Sequence, residues 1–269
     1  METSSTPAAP ASNNRRWLKR LFWVVLLLLA AVIALGLLRM SNGAGPMPEA
    51  LAAMQSGGGV EFSEAGSLTA GSWLVFRPQT ADPLGGVIFY PGGGVDYRSY
   101  APAARALAEA GYLAVIPSMP FNLAVLAPER AGQIIAAFPE VTRWAIGGHS
   151  LGGVMASRYA SRHADQIAGL YLWASYPADT ENLSGQPLQV VSVYGTLDGL
   201  ATPEQVLAAR PLLPPDTAWV PIEGGNHAQF GWYGPQDGDN PAAITREDQQ
   251  NQAITAVLQM LLRCCAPPK

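Results

Sequence analysis

"GGHSLGG", residues 147–153, follows the apolar stretch "VTRWAI" and precedes the helical one "VMASRYASRH". Ser150 therefore sits between two pairs of glycines, where a predicted strand gives way to a predicted helix. In a tight strand-to-helix turn of this kind the serine side chain is thrust out at the top of a sheet. Its neighbours must be small because other backbone passes close by. Five letters of the form Gly148-x-Ser150-x-Gly152 occur often by chance, and the placement between strand and helix is what gives them meaning. They predict that Ser150 is exposed at the C-terminal edge of a sheet and available as a nucleophile.

The chain around it reads as such a sheet. Strands are predicted at about 60–64, 72–77, 86–90, 112–117, 142–148, 168–175, 188–194 and 217–222, and helices at about 97–110, 127–137, 151–163, 202–210 and 245–263. Several of the strands are unbroken apolar runs, as expected where both faces are covered. Pro128 suits a first helical turn, and Thr245 with Asp248 resembles a capping box before the last helix. Strand alternating with helix implies right-handed crossovers. The expected fold class is α/β: a mostly parallel eight-stranded sheet with helices on both faces.

A serine hydroxyl becomes a useful nucleophile only when a base takes its proton. The chain has three histidines, His149, His163 and His227. His149 lies inside the turn, with its side chain directed away from that of Ser150. His163 is thirteen residues along the helix that Ser150 opens, roughly 20 Å away at ~1.5 Å per residue. His227, in "IEGGNHAQFGWYG" after the last predicted strand, is the expected base. A base needs an orienting carboxylate. Asp198 in "VVSVYGTLDGL", just after the seventh strand, is the expected partner, with Asp179 and Glu223 as the other candidates. The resulting order, Ser150, Asp198, His227, is the α/β-hydrolase order of such triads and differs from that of other serine nucleophile enzymes.

Attack on a carbonyl also needs donors for the oxyanion. The N–H of Leu151, directly after the serine, is one. The glycine run in "VIFYPGGGVDY" offers the second, from Gly93 or, close behind it, Gly94. The same run lacks the Lys-Ser/Thr ending of a phosphate-binding loop and the spacing of a dinucleotide fingerprint.

Composition narrows the remaining classes. With 269 residues, 49% of them hydrophobic, the chain can bury a sizeable core. The formal net charge is −4, and five of the sixteen Lys and Arg residues fall before residue 40, so the rest is more acidic still. Nucleic acid is not expected as a partner. Only two cysteines occur, the adjacent Cys264 and Cys265, so no internal disulfide framework is expected. Three scattered histidines without ligand spacing predict no metal, and no cofactor is implied.

The N-terminus reads differently. Residues 1–20 are basic at their end, with Arg15, Arg16, Lys19 and Arg20. "LFWVVLLLLAAVIALGLL", residues 21–38, is an eighteen-residue run without a charge, near the minimum length for a membrane-spanning helix. No small-x-small cleavage site follows it closely, so a signal anchor is expected rather than a cleaved signal peptide. The excess of cations before the run places the chain's N-terminus inside. The expectation is a single-pass membrane protein, with residues 39–59 as a tether and residues 60–269 as an extracytoplasmic domain.

From residue 60 to about 263 the chain resembles the α/β-hydrolase superfamily, on the strength of "GHSLGG", "YPGGG", "GTLDG" and "GGNHAQFG". It looks most like the small, capless, dienelactone-hydrolase-like branch, whose name enzymes carry cysteine where this chain has Ser150. That resemblance implies a serine hydrolase working through a covalent acyl-enzyme, and it leaves the substrate open. The expected reaction is cleavage of a small-molecule carboxylic ester. An acyltransferase or thioesterase with the same triad, or a non-catalytic binding module on the same fold, are the alternatives.

In such folds a lid is usually inserted after the sixth strand. Here only "YPADTENLSGQP" lies between the sixth and seventh strands, so no large cap domain is expected. Phe230, Trp232 and Tyr233 after His227, and Met119 with Phe121 in "PSMPFNL", are the candidates for pocket walls. Packing against the final helix is an equal explanation for the aromatic residues. Without a lid, short or compact acyl groups are the expected substrates.

Overall fold

The computed structural model describes residues 19–27, 44–67, 71–79 and 82–265. The chain divides into two units, Met1–Ser41 and Asn42–Lys269.

In the first unit a helix, α1, is described over residues 19–27, with the side chains of Leu21 to Leu27 exposed. Among the described residues no helix is long and apolar enough to cross a membrane. This overturns the expected single-pass localisation with an extracytoplasmic domain. Residues 28–38 of the expected span lie outside the described residues.

The second unit is built on eight strands: β1 (Val60–Ser67), β2 (Gly71–Pro78), β3 (Gly86–Tyr90), β4 (Leu113–Pro117), β5 (Trp144–His149), β6 (Ile167–Trp173), β7 (Gln189–Gly195) and β8 (Ala218–Ile222). They form one sheet in the order β1-β2-β4-β3-β5-β6-β7-β8. β1 and β2 pair antiparallel, as do β2 and β4, and the remaining neighbours are parallel. Every predicted strand is present. β3, β4 and β5 are buried at every position, which is why β3 and β4 read as uninterrupted apolar runs rather than alternating ones.

Six helices accompany the sheet: α2 (Pro48–Ala52), α3 (Ala101–Glu109), α4 (Arg130–Ala137), α5 (Leu151–Arg162), α6 (Pro203–Ala208) and α7 (Arg246–Cys264). Two hydrophobic clusters lie on opposite faces. Val87 and Phe89 of β3 meet α3 and α7 in one; Ile88 and Tyr90 meet α4 and α5 in the other. Alternate residues of a single strand thus feed different layers, as the two-residue period of a strand requires. The last helix is capped as the sequence suggests: Thr245 Oγ1 accepts the Asp248 N–H at 3.1 Å.

Two features place the site. The strand order reverses between β3 and β5, so their connections leave to opposite sides and a crevice opens beyond their carboxyl ends. No helix occurs between β6 and β7, and no large cap covers the crevice. Part of the stretch expected as a tether is instead docked on this unit. Ala44 forms a parallel bridge with Val95, its N–H reaching the Gly94 carbonyl at 3.1 Å, and Met47 N–H reaches the Trp232 carbonyl at 2.7 Å. Ala50 of α2 is fully buried. A short helix with one apolar residue turned inward is hard to see in a Gly-, Ser- and Ala-rich sequence. Residues 39–43 lie outside the described residues.

Candidate active site

Ser150 links β5 to α5 with φ 52° and ψ −125°, a conformation rare for any residue with a side chain. Such a residue stores on the order of 1–3 kcal/mol and persists only where its surroundings hold it. Here they do. Ser150 N–H donates to the Trp173 carbonyl at 2.9 Å, and the Ser175 hydroxyl donates to the Ser150 carbonyl at 2.7 Å. The end of β6 therefore grips both backbone groups of the turn. A Cβ at Gly148 or Gly152 would run into the Tyr90 carbonyl oxygen, and one at Gly153 would stand 2.5 Å from Ser175 Oγ. The glycines of "GGHSLGG" are there for room.

His227 lies in the loop after β8, and Asp198 in the loop after β7. The His227 Nδ1 is 2.9 Å from Asp198 Oδ2 and 3.1 Å from Oδ1. Both side chains are buried, at 2% and 0% side-chain exposure. A carboxylate can only accept, so Nδ1 carries the proton and Nε2 is left with a free lone pair. Asp198 Oδ1 also accepts the N–H groups of Leu200 and Ala201, at 2.8 and 2.7 Å, which fixes the carboxylate in place. Among the described residues neither Asp179 nor Glu223 contacts His227; Glu223 takes a hydrogen bond from Thr196 instead. His163 is far from this arrangement in role, pairing with Glu129 at 2.8 Å.

Ser150 and His227 line one open cleft of about 370 Å³, together with Leu151, Val154, Leu200 and Gln236. Of the two glycines expected to supply a donor, Gly94 is already engaged: its N–H donates to the Asn122 carbonyl at 2.9 Å. The Gly93 N–H has no hydrogen-bond partner among the described residues, and a Cβ there would touch the Leu151 side chain at 3.0 Å. Leu151 opens α5, where the first N–H groups have no partner within the helix. Gly93 and Leu151 are therefore the pair with amides to spare.

The expected pocket walls are elsewhere. Met119, Phe230 and Trp232 are buried in the core, and none lines the cleft. Phe230 stacks near His149 and Trp173, and Arg246 lies over the Trp232 ring. Tyr233 is likewise buried, its hydroxyl donating to Gln236 Oε1 at 2.9 Å. Phe121 is half-exposed but not part of the cleft wall. An aromatic near a catalytic loop packs inward for the same hydrophobic reason that would draw it to a substrate, so its letter does not separate the two.

Asp239 is a site residue that the sequence reading missed. Its carboxylate accepts the N–H groups of His227, Ala228 and Gly199. It sits in "DGDN", which reads as an ordinary turn. Among the described residues no group of His, Cys, Asp and Glu is placed to hold a metal ion.

With this geometry in view, the comparisons with known proteins agree on the class. The model of the alpha/beta hydrolase family matches residues 86–251, and the chain belongs to that family. It is a hydrolase of dienelactone-hydrolase-like build. A crystal structure from Klebsiella pneumoniae subsp. pneumoniae MGH 78578, assigned as a dienelactone hydrolase, superposes with a TM-score of 0.57 at 18% identity, covering 75% of this chain and 97% of that one. That likeness is one of fold. No curated protein matches the sequence.

Proposed function

We propose that the protein is a serine hydrolase that cleaves a carboxylic ester with a short or compact acyl group through an acyl-enzyme. The observation that carries this reading is that Ser150 and His227 border one cleft while Asp198 holds the far nitrogen of His227 at 2.9 Å. In the first half-reaction His227 Nε2 takes the Ser150 proton as Oγ bonds to the ester carbonyl carbon. The carbonyl electrons move onto oxygen, where the N–H groups of Gly93 and Leu151 receive the charge. Collapse breaks the bond to the alcohol oxygen, which leaves with the proton from His227. Water then adds by the same route and releases the acid, restoring Ser150. Asp198 accepts the His227 Nδ1–H throughout and keeps the imidazole in the working tautomer.

Beside Ser150 and His227 the cleft is lined by the apolar Leu151, Val154, Ala174, Leu200 and Ala201 and by the uncharged Ser175, Tyr176 and Gln236, with no Lys, Arg, Asp or Glu among the lining residues. They suit an uncharged acyl group of modest size. The test is labelling by a fluorophosphonate probe together with hydrolysis of p-nitrophenyl butyrate. Labelling of the native protein and none of Ser150→Ala is the expected result. A folded native protein that takes no label would overturn the proposal.

A further inference from the structure

His149, beside the proposed nucleophile, has no part in the reaction as written above, yet it is placed with care. It closes β5, is 1% exposed, and its ring centroid lies 4.5 Å from that of His227. Its Nδ1 is 2.9 Å from the hydroxyl of Tyr100, which is itself fully buried. The same hydroxyl oxygen accepts the Gly92 N–H at 3.1 Å. A Cβ at Gly92 would stand 2.8 Å from both His149 Nδ1 and the Tyr100 hydroxyl, so the three groups are in close contact.

The protons can be assigned. Tyr100 has one hydroxyl hydrogen, and its oxygen already receives the Gly92 N–H. His149 Nδ1 is the acceptor the structure offers for that hydrogen, so Tyr100 donates to Nδ1 and the ring proton sits on Nε2. Burial holds the His149 pKa well below the usual histidine range; the charge of the neighbouring His227 pushes the same way and its backbone, more weakly, the other. His149 therefore remains neutral beside a base that becomes charged at each turnover.

Gly92 immediately precedes Gly93, whose N–H has no partner among the described residues and would meet the oxyanion. The chain Gly92 N–H to Tyr100 hydroxyl to His149 Nδ1 thus ties the loop after β3 to the end of β5, and the His149 ring then backs the ring of His227. We infer that Tyr100 and His149 are a coupled pair of positioning residues that set the Gly93 amide and the His227 imidazole relative to Ser150. This role rests on the proposed ester hydrolysis. Misplacement of reacting groups by about 1 Å costs up to about 100-fold in rate, so the pair is open to kinetic test.

The experiment compares Tyr100→Phe, His149→Leu, His149→Asn and the double variant Tyr100→Phe/His149→Leu in the full chain, with p-nitrophenyl butyrate and fluorophosphonate labelling. Leu and Asn are alike in size, but Asn keeps an acceptor near the position of Nδ1. We expect Tyr100→Phe and His149→Leu each to lower kcat by about 10–100-fold with KM within about 2-fold. The double variant should be no slower than the slower single one, and His149→Asn should recover part of the loss. Multiplying losses in the double variant, losses confined to KM or to thermal stability, or equal rates for Asn and Leu would each overturn the role. If the variants at 149 fail to fold, Tyr100→Phe, which removes one oxygen atom, decides alone through its kcat. A native protein that is not labelled would overturn the underlying hydrolase reading; a labelled native protein with fully active variants would overturn the positioning role alone.

Discussion

The Asp239 carboxylate holds the backbone N–H of His227 at 3.2 Å, and through the same oxygen it holds the N–H of Gly199, the residue after Asp198, at 3.1 Å. One side chain therefore pins both the loop that carries the proposed base and the loop that carries its carboxylate. Asp239→Ala leaves these amides, and that of Ala228, without their acceptor. Stability should fall by about 2–3 kcal/mol in urea denaturation, and kcat by about 10–100-fold. Full activity of a folded Asp239→Ala protein would mean that the two loops hold themselves.

Ser150→Ala and His227→Ala should each abolish ester turnover. Groups that act as a unit lose activity non-additively, so the double variant should be about as inactive as either single one. Ser150 is only partly buried, and alanine inherits the same positive φ, so thermal unfolding of Ser150→Ala should stay close to that of the native protein. Substantial residual turnover in His227→Ala would remove His227 from the role of base.

Gly152→Ala should be costly before any chemistry is considered. A Cβ there collides with the Tyr90 carbonyl oxygen and comes within 2.5 Å of the Pro91 carbonyl oxygen, both backbone atoms that cannot swing aside. A loss of about 2–3 kcal/mol is expected. Gly185→Ala, where a Cβ meets nothing within 4 Å, should change stability by less than about 0.5 kcal/mol. Equal denaturation midpoints for the two variants would refute this account of the elbow.

Alkaline pH should destabilise the fold. Burial raises the pKa of Tyr90, Tyr100, Tyr171 and Tyr233, and pushes Tyr159 up to about 12. In the unfolded chain a tyrosine titrates near ~10. Above that pH the unfolded state loses protons that the folded state retains, so stability is complete below ~10 and falls as pH rises toward 12 and beyond. Each such tyrosine contributes up to about 1.4 kcal/mol per pH unit. Urea midpoints at pH 7, 9 and 11 should be nearly level between the first two and drop at the third.

Chain-length dependence of the ester reports on the cleft. Each fully buried methylene contributes about 0.8 kcal/mol, but only while there is wall to bury it. With no cap over the cleft, kcat/KM should rise over the first few acyl carbons and then level or fall. A steady climb from four-carbon to sixteen-carbon p-nitrophenyl esters would reveal a long tunnel and refute the compact-acyl reading.

The strands were legible because strands covered on both faces admit few polar residues. "GVIFY" and "LAVIP" can be little else, and the turns between elements are marked by Gly and Pro. Ser150, Asp198 and His227 were legible as a candidate triad because each lies at or within a few residues of the end of a strand, where a parallel sheet gathers its loops. What escaped notice depends on loops folding back on themselves. Asp239 lies twelve residues from His227 through irregular backbone, and nothing local marks its oxygen as the acceptor for the N–H groups of both His227 and Gly199. Gly93 and Gly94 are indistinguishable as letters; only the Asn122 carbonyl, from a different loop, separates them. The apolar stretch at 21–38 misled because hydropathy measures what a segment tolerates; among the described residues no helix is long and apolar enough to cross a membrane.

The bridge between Ala44 and Val95 bears on how the hydrolase unit can be produced in isolation. A shortened chain starting at Val60, where the first strand begins, would discard Ala44, whose N–H holds the Gly94 carbonyl and whose carbonyl takes the Asp96 N–H at 3.2 Å. It would also strip the buried Ala50 from the surface it covers and free Arg105 from the carbonyls of Gln55 and Gly57 that it now clasps. The glycine loop beside the proposed oxyanion site would lose its outer strap. A recombinant version that is to retain native turnover must therefore begin upstream of Ala44, about sixteen residues earlier than the strand pattern alone would advise.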